Sequence, residues 1–172
     1  DCIDPQRLQE IKTTFSVADG LFLAHLGHFE QAKERLAEVE AEIRQYGYWH
    51  LMNSVQQMLG CLYENPSTID KARYHFEQAL RYAQPHQKIA AHLCLSMIAR
   101  RQGDLIEAAS HLEQAHQQFL TGCDITTEAL YYSIYSDLCH AQGRWSEALA
   151  HALKNIELVS QQQTAMPFFH YS

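Results

Sequence analysis

The sequence predicts an all-α fold, a solenoid of stacked antiparallel helix hairpins, and three observations predict it. Glycine (7) and proline (4) are scarce in 172 residues, so the turn residues that a many-stranded sandwich or barrel needs are missing. With 47% hydrophobic residues, the chain carries enough apolar surface to offset the ordering entropy of a folded domain. The chain also repeats itself. Aligning GHFEQAKERLAEV, STIDKARYHFEQA, GDLIEAASHLEQA and GRWSEALAHALKN brings Ala32, Ala72, Ala108 and Ala148 into register, 40, 36 and 40 residues apart. A sustained period of this size is the mark of a repeat architecture.

Each element follows from that register. Five residues before each alanine stands a turn former, Gly27, Ser67, Gly103 or Gly143, which separates a first helix (A) from a second (B). Twelve residues before each alanine stands a small residue, Gly20, Gly60, Ser96 or Ser136, where helix A can approach helix B closely. Four and seven residues after the alanines come Leu36 and Val39, Phe76 and Ala79, Leu112 and Ala115, Ala152 and Asn155; this is the spacing of one helical face. The hairpins are expected at about 13–48, 49–84, 86–121 and 126–163 within a single domain. Asp4-Pro5 supplies an N-cap followed by an N1 proline, Ser67 or Thr68 and Thr126 or Thr127 are further cap candidates, and Gly47 and Gly122 sit where helices should end. At the C-terminus Phe168, Tyr171 and Ser172 lie 36 residues after Tyr132, Tyr135 and Ser136. A fifth helix A is therefore expected over 165–172. Together with an Asp rather than a Met at position 1, this reads as a fragment of a longer array, the alternative being a short aromatic tail folded back as the cap, and an exposed aromatic end would also let copies of the chain associate.

These residues resemble the tetratricopeptide repeat family. LGCLY followed by DKARYHFEQAL matches its pattern best, RRQGDLIEAASHLEQA nearly as well, and the outer units depart from it at Asp19 and Asn155. The resemblance covers about residues 13–163 and implies a right-handed superhelix in which successive A helices line a concave surface that binds other proteins or peptides. A period of 36 to 40 residues exceeds the family's usual ~34. That stretch is similar to the sensor arms of bacterial MalT-like transcription activators, to peptide-sensing regulators and to sensory segments of some diguanylate cyclases.

A search for chemistry returns no catalytic set. No phosphate-cradling glycine loop, GxSxG elbow or HExxH occurs. The histidines lack carboxylates at ligand spacing, so no metal or cofactor is expected. Cys94 with His92 and Cys139 with His140 are too close along one helix to face each other. Five cysteines without a CxxC pair read as reduced and mostly buried thiols. No apolar run reaches the ~18 residues of a membrane span, and no basic-then-apolar leader opens the chain. A cytoplasmic setting is the expectation. The formal net charge of −7 argues against nucleic acid or anionic lipid as a direct partner.

Binding has a natural place instead. The resemblance carries over to three positions one turn apart on each A helix: Val17, Leu21 and Ala24; Gln57, Cys61 and Glu64; Leu93, Met97 and Arg100; Ser133, Asp137 and His140, with Arg101 and Asn65 at the edge. The polar members carry both signs of charge, which suits a peptide or a mixed small effector better than a polyanion. Buried leucine is the commonest fate of leucine, so Leu93 and Leu21 are also candidates for plain core, and Arg100 between Glu64 and Asp137 for a plain ion pair. Relatives that grip carboxylate tails of chaperones carry Lys and Asn on the first A helix; Val17 and Leu21 stand there, against that activity. Tyr131, Tyr132, Tyr135 and Trp145, and Trp49 with Tyr46 and Tyr48, are expected to pack between helices rather than to cage a ligand. The expected function is a non-enzymatic protein- or ligand-binding module, the regulatory or sensory segment of a larger bacterial signalling or transcription protein. A free-standing adaptor or chaperone is the first alternative, and an enzyme with a site near His140, Asp137 and Cys139 is the second.

Overall fold

A computed structural model describes residues 4–119 and 124–165. Eight α-helices account for most of them: α1 (Pro5–His25), α2 (Phe29–Tyr46), α3 (Met52–Leu62), α4 (Ile69–Tyr82), α5 (Lys88–Arg101), α6 (Leu105–Phe119), α7 (Ile125–Ala141) and α8 (Trp145–Ala165). No strand occurs among the described residues. Two compact units emerge, Asp1–Ala83 with α1 to α4 and Gln84–Ser172 with α5 to α8. Each is two stacked helix hairpins, the all-α architecture that the repeat predicts. The expected fifth helix A, Gly122, Cys2 and Cys123 lie outside the described residues.

The hairpins close where the repeat places small residues. A Cβ on Gly20 would stand 2.7 Å from the Leu36 side chain, and one on Gly60 2.5 Å from the Phe76 ring, so only glycine lets those A helices sit on their B helices. Leu36 and Phe76 are fully buried. In the second unit serine takes the same position and adds a bond: Ser96 Oγ donates to the Ala108 carbonyl and Ser136 Oγ to the Ala148 carbonyl, each at 2.8 Å. The register alanines are buried throughout.

A second contact buckles every hairpin, between residues 19 apart. Arg35 Nη2 donates to Ser16 Oγ at 2.7 Å, His75 Nδ1 meets Gln56 Oε1 at 2.8 Å, His92 Nδ1 meets His111 Nδ1 at 3.1 Å, and Tyr132 stacks on His151 with centroids 5.8 Å apart. The first partner always lies four residues before the small residue, the second three after the alanine. The polar character of these pairs hides them from a reading of apolar periodicity.

The turns behave as the glycines require. Gly27, Gly103 and Gly143 have φ of 81°, 86° and 74°, the left-handed backbone that ends a helix in a Schellman motif. Accordingly His28, Asp104 and Arg144 each donate a backbone N–H to the carbonyl five residues back, Leu23, Ala99 and Cys139. The second hairpin has Ser67 instead, and α3 stops at Leu62, because Asn65 precedes Pro66 and is disfavoured in helical backbone. Asp4 caps α1 through the Gln6 N–H at 3.2 Å, and Gly47 ends α2 at φ 79°.

Two cap expectations are corrected. Asp124, not Thr126 or Thr127, caps α7 by accepting both of their backbone N–H groups at 3.0 Å. The Thr127 hydroxyl donates back to its carboxylate at 2.7 Å, and these bonds hold the Asp124 carboxyl below the usual carboxylate range. Thr68 stands at the N-cap of α4, but its hydroxyl donates to the Tyr63 carbonyl rather than to the helix.

Gly60→Ala is expected to lower the stability of the first unit by roughly 1–3 kcal/mol through overpacking against Phe76, although alanine is the better helix former. Urea unfolding checks this, and adding Phe76→Leu should recover part of the loss.

Candidate partner-binding faces

In the second unit the predicted residues form a strip on two helices. Met97, Arg100 and Arg101 rise along α5, and Ser133, Asp137 and His140 along α7. Arg100 Nη2 donates to Asp137 Oδ2 at 3.0 Å, joining the two helices across 37 residues of sequence. Asp137 keeps 58% of its side chain exposed and Arg100 27%, so the pair is open to solvent on its carboxylate side, where such pairs contribute little. Arg100 Nε is buried without an acceptor among the described residues. His140 is exposed and sets its ring edge-on to Trp145, centroids 4.6 Å apart. Met97 and Ser133 are half-buried.

Leu93 leaves the set. It is fully buried among Ile89, Leu112, Tyr131 and Ile134, where removing its apolar surface from water outweighs any gain from facing a ligand. Val17 likewise belongs to the core of the first unit, with Leu36, Val39 and Ile43, and Leu21 packs against that core.

In the first unit Gln57 is half-buried and donates to Asn53 Oδ1 at 3.3 Å. Glu64 is half-buried, and Asn65 is exposed and accepts from Ser67 Oγ at 2.6 Å. Cys61 is exposed, contrary to the expectation that the thiols are mostly buried, whereas Cys139 is buried and Cys94 half-buried. The residue as a whole reaches solvent, but partial burial of its thiol, and then the neighbouring Glu64 carboxylate, push that group up to about 11.

A cavity of about 270 Å³ opens between α6 and α7, lined by Leu112, Glu113, Tyr131, Tyr135, Gln142 and Arg144. Its rings are fixed by their neighbours. Tyr131 meets Tyr135 edge-on at 5.7 Å and stacks on His116 at 5.6 Å, and Tyr135 stacks on His151 at 4.1 Å. Arg144 is neutralised by a bidentate pair with Glu147 and also donates to Gln142 Oε1 at 2.9 Å. Tyr131, Tyr132 and Tyr135 thus pack between helices, as aromatic burial predicts, and Tyr131 and Tyr135 also wall a space, whereas Trp145, Trp49 and Tyr46, expected to pack likewise, are 63%, 45% and 44% exposed. Residues at 109–113 and 131–138 are ordinary helix positions in the sequence, and only their facing across a seam makes the cavity.

No group of three or more His, Cys, Asp or Glu is placed to hold a metal among the described residues. None of the described helices is long and apolar enough to cross a membrane.

His92 gives this unit a pH dependence. Burial, then His111 and Lys88, push its imidazole from the ordinary 6.5 down to about 4. The folded state holds the ring neutral where the unfolded chain takes up a proton, so its contribution is complete above the unfolded value and is lost as pH falls from 6.5 toward 4. His92→Leu is expected to flatten the loss of stability in that window, read as urea midpoints at stepped pH. A double-mutant cycle with Arg100→Ala and Asp137→Ala should return a coupling of only about 0–1 kcal/mol.

Residues 89–114 and 129–154 match the family profile of the Tetratricopeptide repeat. The two matched segments begin seven residues before Ser96 and Ser136, the positions that close the hairpins of the second unit. No curated protein matches the chain.

Proposed function

We propose that the chain is a protein-binding module whose second unit takes an extended peptide segment along α5 and α7. The observation that carries this reading is the Arg100–Asp137 pair. It sets opposite charges on adjacent A helices, beside half-buried Met97 and exposed His140. A pair worth so little to folding is open to exchange: a partner carboxylate can take Arg100, a partner ammonium Asp137, and an apolar side chain can cover Met97. The matched repeat family supports a binding rather than a catalytic role, as such repeats generally mediate protein–protein interaction. Gln57, Cys61, Glu64 and Asn65 are the corresponding strip of the first unit.

The finer reading is a regulatory or sensory segment of a larger cytoplasmic signalling or transcription protein, in which a bound partner acts by preferring one of two states of the array. The cavity between α6 and α7 favours a second mode, a small effector with both polar and aromatic character, seated against Tyr131 and Tyr135.

The test selects peptides on the 172-residue chain from a displayed library and measures their affinity by fluorescence polarisation. The Arg100→Asp/Asp137→Arg double variant retains an ion pair but inverts the surface pattern. At least a tenfold loss of affinity is expected, equal to about 1.4 kcal/mol. Unchanged affinity would sink the reading.

A further inference from the structure

The first and the last described helices carry bare apolar stripes. On α1, Phe15 is 68% and Phe22 63% exposed, flanked by exposed Leu8, Ile11 and Leu26. On α8, Trp145 is 63%, Leu149 62%, Leu153 58% and Ile156 60% exposed. Apolar area of this extent marks an interaction site.

The repeat register identifies what these stripes are. Counting back from the register alanine, Phe15, Ala18 and Phe22 occupy the places of Val55, Met58 and Leu62 on α3 and of Tyr131, Ile134 and Leu138 on α7. On α7 all three residues are buried, in one cluster with Leu112 and Ala115 of the preceding B helix. Val55, Met58 and Leu62 likewise join the cluster of Leu36, Val39 and Ile43 of α2. Counting forward, Leu149, Leu153 and Ile156 occupy the places of Ala109, Glu113 and His116 on α6. Ala109 and Glu113 face Tyr131, Tyr135 and Leu138, and His116 stacks on Tyr131. Each unit therefore builds one seam of B helix against following A helix. α1 carries one half of that seam and α8 the other, both uncovered.

We propose that α8 of one copy packs against α1 of a second copy, continuing the seam head to tail. A second copy fits the length of the stripe. From Trp145 to Val159 the apolar residues of α8 extend over ~21 Å at 1.5 Å per residue, and the 21 residues of α1, which carry the complementary half of the seam, span ~32 Å. The contact is heterologous, so it does not saturate in a dimer: each added copy offers a fresh α8 and a fresh α1. It is independent of the peptide-binding strip.

Sedimentation velocity over a wide concentration range, with Phe22→Glu and Leu153→Glu, tests this. The unaltered chain is expected to grow with concentration past the dimer, and each variant alone to stay at the 19.8 kDa monomer. An equimolar mixture should form a dimer and nothing larger, because one variant keeps its α8 and the other its α1. Both sites are exposed, so circular dichroism should be unchanged; Phe15→Glu and Ile156→Glu replace either variant that loses helicity. Self-association of one variant alone would show a symmetric contact and overturn the proposal, as would a mixture that stays monomeric. So would a wild-type monomer at every concentration. If deleting residues 166–172 then creates association, the chain's own tail is what covers α8.

Discussion

Everything in this molecule depends on how closely the two helices of each hairpin approach. Interior packing is as dense as an organic crystal, and at Gly60 there is no room for even a methyl group beside Phe76. The glycine allows a phenylalanine to lie fully buried between backbones. At Ser96 and Ser136 the same approach is made with a hydroxyl that satisfies a helix carbonyl. Two solutions to one distance explain why the position tolerates glycine and serine and nothing larger in this chain. From that fixed point the remaining geometry follows: the partner 19 residues on, the left-handed turn glycine, and the side of each A helix that is left for the seam or for water.

Much of this was legible in the sequence because it is spacing. The register of Ala32, Ala72, Ala108 and Ala148, the small residue twelve before each and the face at four and seven after depend only on helix geometry, and the first three hairpins bury all of them, while in the fourth Ser136, Ala152 and Asn155 are half-buried. The capping of α7 was misread for a physical reason. Asp, Ser and Thr are all good caps, so residue type alone does not choose among Asp124, Thr126 and Thr127; Asp124 reaches the N–H groups of both threonines and starts the helix earlier. The polar buckles Ser16–Arg35, Gln56–His75 and His92–His111 were invisible because an apolar pattern takes no account of them.

The candidate site was legible in outline and less so in membership. Periodicity places Met97, Arg100, Asp137 and His140 on A helices, and the structure joins two of them by a hydrogen bond. It cannot separate a residue that faces a ligand from one that faces the next helix when both point off the same side. Leu93 and Val17 fell on the core side of that division. Cys61, one of the groove positions, lies on the surface, while the reading of the thiols as mostly buried holds for Cys139 and only in part for Cys94. The aromatic residues of the second unit both fill a seam and line a cavity in it, with Glu113 among its walls.

The close approach itself can be measured without perturbing it. With glycine labelled and the rest of the chain deuterated except for phenylalanine rings, nuclear Overhauser spectra report directly on the distance from Gly60 to Phe76. Strong cross-peaks between the Gly60 α-protons and the Phe76 ring are expected, since ring carbons stand 2.5 to 2.8 Å from where a Cβ would be. If those cross-peaks are absent in the folded chain, the hairpins are not closed at their small residues, and the account of the fold built on that contact is wrong.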